Sequence, residues 1–140
     1  MAEQFTVTVT VRGYETDAQG HVNQSVYLQY AEHSRWMILD AAGIRQTDLL
    51  AEGVGPVVLE TTVKYRRELR AGDAVRISCA FVWGEGKTFR VRHEILGPDG
   101  ECAAQVDSVG GVMDLEERRL LADPRRPFLK LAARPELMGL

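Results

Sequence analysis

The chain predicts an α+β fold, with one antiparallel sheet of five strands and a single long helix against one face. Three observations carry this expectation. Five segments alternate apolar and polar residues, one stretch alone keeps a long helical period, and short turns rich in Gly, Pro and Asp join the later strands. Hairpin turns make antiparallel neighbours, and a lone amphipathic helix must bury its stripe on something.

From Phe5 to Tyr14, Phe5, Val7, Val9 and Val11 lie on one face and Thr6, Thr8, Thr10 and Arg12 on the other, as in a half-buried strand. The run Asp17-Ala18-Gln19-Gly20-His21-Val22-Asn23 follows. Gly20 permits an unusual backbone angle there, and Asn23 or Ser25 can cap a helix. At 100° per residue, Tyr27, Tyr30, Ala31, Ser34, Ile38, Ala41 and Ala42 share one stripe, with Gln29, His33, Trp36 and Asp40 opposite. Gly43 is the expected helix stop.

Ile44 to Gly53 reads as a connecting turn or short helix, broken by Gly55-Pro56 before the next strand. There Val57, Leu59, Thr61, Val63 and Tyr65 face one way, and Val58, Glu60, Thr62, Lys64 and Arg66 the other. A turn at Arg70-Ala71-Gly72-Asp73 leads to the alternating set Val75, Ile77, Cys79, Phe81 and Trp83. Gly84 to Lys87 reads as a hairpin loop. Beyond it, Phe89, Val91, His93 and Ile95 alternate with Arg90, Arg92 and Glu94. A tight turn at Gly97-Pro98-Asp99-Gly100 precedes the last strand, Glu101 to Met113, in which Gly110-Gly111 suggests a bulge. No role is assigned to the stretch from Glu116 to Leu140. A length of 140 residues with 45% hydrophobic content suits one domain, residues 1–140, with a core over about 5–115.

A net charge of -3 argues against general nucleic-acid or anionic-membrane binding. No stretch is long and apolar enough for a membrane span, and Met1 to Thr6 lacks the layout of a secretory leader, so a cytoplasmic location is expected. Cys79 and Cys102 have no metal-type spacing and read as buried free thiols; no metal and no cofactor are expected.

Chemistry is expected at the run from Asp17 to Asn23. A carboxylate beside a helix start can take a proton or attack, while unpaired first-turn N–H groups face developing negative charge. His21 either joins the site or braces the loop, and Asn23 caps the helix. Glu60 is either a second carboxylate near the site or an edge-strand polar residue. Glu68 sits at a turn where a solvated salt bridge is the ordinary role. Arg66, Arg67 and Arg70 form a short basic cluster able to grip phosphate groups.

The run Tyr14-x-x-Asp17-x-x-Gly20-His21-Val22-Asn23, the helix Tyr27-Leu28-x-Tyr30-x-Glu32-x-x-Arg35 and the patch Val63-Lys64-Tyr65-Arg66-Arg67-Glu68-Leu69-x-x-Gly72-Asp73 resemble the hotdog-fold acyl thioesterases, 4-hydroxybenzoyl-CoA thioesterase-like branch. The resemblance implies a hotdog fold, in which a curved five-stranded antiparallel sheet wraps one long central helix. It implies an acyl-CoA or acyl-carrier-protein substrate and catalysis by Asp17 as general base or nucleophile. Backbone N–H groups near Asn23 and Gln24, with Gly20 in the loop, would polarise the thioester carbonyl. By comparison with plant acyl-carrier-protein thioesterases, His21 and Glu68 join Asp17 as catalytic candidates. Gln19 stands where those enzymes carry Asn, and makes similar hydrogen bonds from a longer stem. Gln19, Tyr27, Glu60, Arg66 and Arg67 are the substrate-binding candidates. A homo-oligomer, dimer or tetramer, is implied, with each site at a subunit interface. The rival readings are a hotdog enoyl-thioester hydratase or dehydratase, and a non-catalytic acyl-CoA-binding module.

Overall fold

The computed structural model describes residues 4–140; Met1 to Glu3, on which part of the leader argument rests, lie outside the described residues. Strand β1 (Thr6–Thr10) leads through a 3₁₀ turn, Gly13–Glu15, to helix α1 (Gln24–Ala41) and the short α2 (Gln46–Ala51). Strands β2 (Val54–Tyr65), β3 (Ala74–Ser78), β4 (Ala80–Trp83), β5 (Thr88–Leu96), β6 (Cys102–Asp114) and β7 (Arg119–Leu120) follow. Helix α3 (Arg125–Leu131) and a 3₁₀ turn, Pro135–Met138, end the described chain.

Every strand pair is antiparallel, and the order is β1-β3-β5-β6-β2, with β4 beside β5 and β7 beside β6. The expected hotdog arrangement of five principal strands and one long helix is therefore present. The expected run of neighbours is corrected at one place. Strand β2 pairs with β6, not with β3, so Arg66 to Asp73 crosses from the β2 edge to β3, which lies next to the opposite edge strand β1. Leu69 is buried on that crossing, where its carbonyl accepts the N–H of Val22 at 2.8 Å. This bond ties the second sequence patch to the first.

Four further expectations are corrected. Gly55-Pro56 does not precede the strand but lies within it; Pro56 is opposite Val112 in β2, on an edge strand where a missing N–H is tolerated. The bulge is at Leu59, not at the glycines, since Val58 faces Gly110 and Glu60 faces Val109. Val57 consequently does not share a face with Thr61, Val63 and Tyr65. Gly110 and Gly111 are there for space: a Cβ on Gly110 would lie 3.1 Å from the Phe89 ring, and one on Gly111 2.8 Å from Leu120 Cδ2. Trp36 was expected on an open helix face, but is half-buried against the core.

The core divides along α1. Tyr27, Tyr30 and Ala31 pack with Val11, Val22, Leu69 and the inner faces of β3, β5 and β6. Farther along, Ile38, Leu39 and Ala42 pack with Phe89, Val91, Val112, Phe128 and Met138. The C-terminal stretch is thus part of the core. Phe128 and Met138 are fully buried, Trp83 Nε1–H donates to the Met138 carbonyl at 2.6 Å, and the N–H groups of Ala133 and Arg134 donate to Ala42 O. Cys79 is buried and Cys102 half-buried, both as free thiols, and burial pushes the Cys79 thiol up to about 12.

Candidate active site

Asp17 opens a turn that its own side chain builds. Its carbonyl accepts the N–H of Gly20 at 3.0 Å, its Oδ1 accepts the N–H of Gln19 at 2.9 Å, and its N–H donates to His21 O at 2.8 Å. Gly20 has φ +81°, in the left-handed region that a side chain resists. His21 Nδ1 lies 3.0 Å from Asp17 Oδ2, and Nε2 3.0 Å from Gln19 Oε1. The imidazole therefore holds the carboxylate and is held in turn by Gln19. Asp17 and His21 side chains each keep 28% exposure, so the acid can be reached from solvent.

The turn is anchored from behind by Glu15, a buried carboxylate absent from the sequence-derived candidates. Its Oε1 accepts the Arg12 N–H and the Tyr30 hydroxyl, each at 2.8 Å, and its carbonyl accepts the Asn23 N–H at 2.9 Å. Burial and the adjacent Glu15 push the Tyr30 phenol well above its ordinary value, which keeps it a neutral donor. No local pattern distinguishes Glu15; its partner Tyr30 lies on the helix, and only folding joins them.

Asn23 caps α1 through Oδ1, which accepts the Ser25 N–H and hydroxyl at 3.0 Å each. The Asn23 N–H is engaged with Glu15, which removes it as an oxyanion donor. Among the described residues the Gln24 N–H has no acceptor, and it sits at the positive end of the helix. The available donor is Gln24.

Asp17, His21, Asn23, Gln24, Tyr27, Arg66, Arg67 and Glu68 line one open cleft of about 470 Å³. Its remaining wall includes Tyr65, also missed as a site residue, whose hydroxyl donates to Gln24 O at 3.0 Å and whose ring meets Tyr27 edge-on at 5.2 Å. An aromatic ending an alternating strand was the available signal, but its pairing with α1 depends on the long-range placement of β2. Burial raises the Tyr27 phenol, with the neighbouring Tyr65 adding to it. Arg66 donates to Gln105 Oε1, Arg67 pairs with Glu101, and Arg70 pairs with Glu68 at 2.7 Å. Of the named candidates Gln19, Gly20 and Glu60 do not line the cleft; Gln19 and Gly20 belong to the turn behind it, Gln19 through its contact with His21, whereas Glu60 stands apart. It lies on the edge strand opposite Val109 and does not line the cleft.

Chemically the cleft offers a fixed carboxylate, one free helix-start amide and a partly apolar floor. A sheet of this order around one long helix, with those groups in one cleft, defines the hotdog-fold thioester hydrolases as a class. The chain belongs to the thioesterase-like superfamily, whose pattern it matches over residues 11–137. It is 30% identical over 115 residues to the long-chain acyl-CoA thioesterase FadM of Escherichia coli, covering 81% of this chain and 86% of that one. It is 37% identical over 73 residues to the chloroplastic acyl-acyl carrier protein thioesterase ATL3 of Arabidopsis thaliana, covering 52% of this chain but only 38% of the plant protein's length. The fold is also that of the 1,4-dihydroxy-2-naphthoyl-CoA thioesterase Slr0204 from Synechocystis, with a TM-score of 0.82 at 17% identity over 92% of this chain and 95% of that one.

Proposed function

We propose that the protein hydrolyses an acyl thioester carried on coenzyme A or a carrier protein, with Asp17 as general base or nucleophile. The observation that carries this reading is the shared cleft: an accessible carboxylate held by His21 opens onto the same space as the unengaged Gln24 N–H. The carboxylate activates water or attacks the carbonyl, and the Gln24 N–H stabilises the oxyanion, a contribution typically worth ~10²–10³ in rate for one donor. His21 and Gln19 are positioning residues that keep the acid aimed into the cleft. Arg66 and Arg67, on the opposite wall, supply positive charge for the phosphates of the donor. Similarity to FadM favours a coenzyme A donor, and similarity to ATL3 a carrier protein.

The protein acts as a homo-oligomer with a dimer as its minimum unit. Strand β2 is a twelve-residue edge whose Val58, Leu59 and Tyr65 are each about half exposed. Such an edge invites pairing with a second copy.

Asp17→Asn tests the chemistry, because it keeps size and hydrogen bonding while removing the charge. Thiol release from a panel of acyl-CoAs and acyl-carrier proteins should fall by at least ~10², with the fold intact. A folded Asp17→Asn protein within a few-fold of the parent on its best substrate would transfer the catalytic role to His21 or Glu68.

A further inference from the structure

Residues 15–17 and 21–23 form a short antiparallel ladder that closes the reactive turn. Glu15 O accepts the Asn23 N–H at 2.9 Å, Thr16 lies opposite Val22, and the Asp17 N–H donates to His21 O at 2.8 Å. One end of the ladder carries the Asp17 carboxylate, and the other runs directly into Gln24, the first residue of α1 and the proposed oxyanion donor. The separation of acid and donor is therefore set by how the ladder sits on the helix.

The Glu15 side chain fixes that seating. Its buried Oε1 accepts the Tyr30 hydroxyl and the Arg12 N–H, each at 2.8 Å. Tyr30 lies six residues into α1, roughly 9 Å along the axis at ~1.5 Å per residue. One oxygen thus joins the body of the helix to the chain leaving β1, and the carbonyl of the same residue joins both to the ladder. The other bonds to the ladder do not do this. The Val22 N–H ties it to Leu69 on the crossing, and the Asn23 cap acts only within the first turn of α1. Among the described residues the Glu15–Tyr30 bond is the side-chain hydrogen bond that fastens the ladder to α1 beyond that first turn.

Building on the thioester-hydrolase reading, we infer that Glu15 is a positioning residue: clamped to Tyr30, it holds the Asp17 carboxylate and the Gln24 N–H at the separation the developing oxyanion requires. Glu15 touches neither the substrate nor the reacting atoms. Ground-state binding draws on walls of the cleft such as Tyr65, Arg66 and Arg67, which make no contact with the clamp through hydrogen bonds. Oxyanion stabilisation, in contrast, depends on donor placement to within a fraction of an ångström, so loss of the clamp falls on kcat rather than KM. The clamp needs an acceptor oxygen and not a charge, because Gln at this position keeps an oxygen for both donors. The Arg12 guanidinium, 3.7 Å away and half exposed, adds little.

The test measures kcat and KM on the best acyl-CoA of the panel, affinity for its dethia analogue, in which carbon replaces the thioester sulfur, and hydrogen exchange of the Asp17 and Asn23 amides. Tyr30→Phe and Glu15→Ala should each lower kcat by at least ~10-fold, with KM and analogue affinity within a few-fold of the parent. The double variant should lose no more than the worse single one, because both substitutions break the same bond. Glu15→Gln should stay within a few-fold of the parent, and the two amides should exchange faster in Tyr30→Phe but not in Glu15→Gln. If Glu15→Ala fails to fold, Tyr30→Phe and Glu15→Gln carry the test. An unchanged kcat in folded Tyr30→Phe overturns the inference, as do fully additive losses. A raised KM at constant kcat makes Glu15 a binding determinant, and a loss in Glu15→Gln equal to that in Tyr30→Phe makes its charge decisive; either result also overturns it. Absence of turnover by the parent on every thioester refutes the hydrolase reading instead, and the amide exchange then decides the clamp alone.

Discussion

The two ends of the long helix are built to opposite ends. At its start, α1 carries Asn23 and Gln24 beside a polar turn, and the cleft there keeps a carboxylate exposed and one amide unpaired. At its finish, the helix is enclosed by Phe128, Met138 and the ring cluster of Phe81, Trp83 and Phe89, with ring centroids 4.7–6.4 Å apart. One end gives up local satisfaction of polar groups and retains reactivity; the other gives up reactivity and retains packing. Stability and chemistry should accordingly respond to different substitutions.

Phe128→Ala, at the packed end, should have the largest effect on stability. Removing a fully buried aromatic ring typically costs ~3–5 kcal/mol, to be read from urea unfolding. Should the loss stay under about 1 kcal/mol, the C-terminal stretch is an appendage rather than a wall of the core.

His93 marks the boundary between the two halves. It is 2% exposed, its Nδ1 lies 2.9 Å from Ser34 Oγ and 3.0 Å from Ser78 O, and among the described residues Nε2 has no hydrogen-bond partner. Burial, then the Arg35 charge, takes it from 6.5 down to about 4 in the folded state. The unfolded chain thus binds the extra proton more readily. Stability should be full above pH ~6.5 and fall as pH drops towards ~4, by an amount on the order of 3 kcal/mol. Unfolding followed across that window in the parent and in His93→Asn should show the slope only in the parent; identical slopes would assign it to other groups.

Asp17→Asn should reverse the pattern of Phe128→Ala. Hydrolysis falls by at least ~10², while stability moves by less than about 1 kcal/mol, because an amide still braces the turn. A large loss of stability in this variant would make Asp17 structural.

The smallest expected effect is at Asn23. Losing the cap should cost ~1 kcal/mol of stability, and activity should fall with it, since the same residue sets the peptide that presents the Gln24 N–H. Unchanged activity in a folded Asn23→Ala protein would separate the cap from the oxyanion donor.

Much of this was legible in the residue order. Alternation located the strands because side chains on a strand point to opposite faces, and the Asp17–Asn23 run marked the candidate site because acid, glycine, imidazole and cap have local jobs at fixed spacings. Helix α1 was readable from its apolar stripe and from Gly43, whose φ of +92° closes it. The Leu59 bulge was not readable, since its cause lies across the sheet at Gly110 and Val109. Nor was the role of the C-terminal stretch, whose Phe128 and Met138 sit in a proline-containing run of mixed polar and apolar residues with no clear period until the end of α1 meets them.

By itself, then, the sequence determined the principal strands, the long helix, the candidate turn and the family, because periodicity, capping and turn chemistry act within a few residues. Only the tertiary structure decided that β2 lies beside β6 at one edge of the sheet, that Glu15 occupies the Asn23 amide, and that Glu60 stands outside the cleft. Each of those is a pairing between residues distant in sequence, and such a pairing is chosen by the packing of the whole sheet around the helix rather than by any local preference.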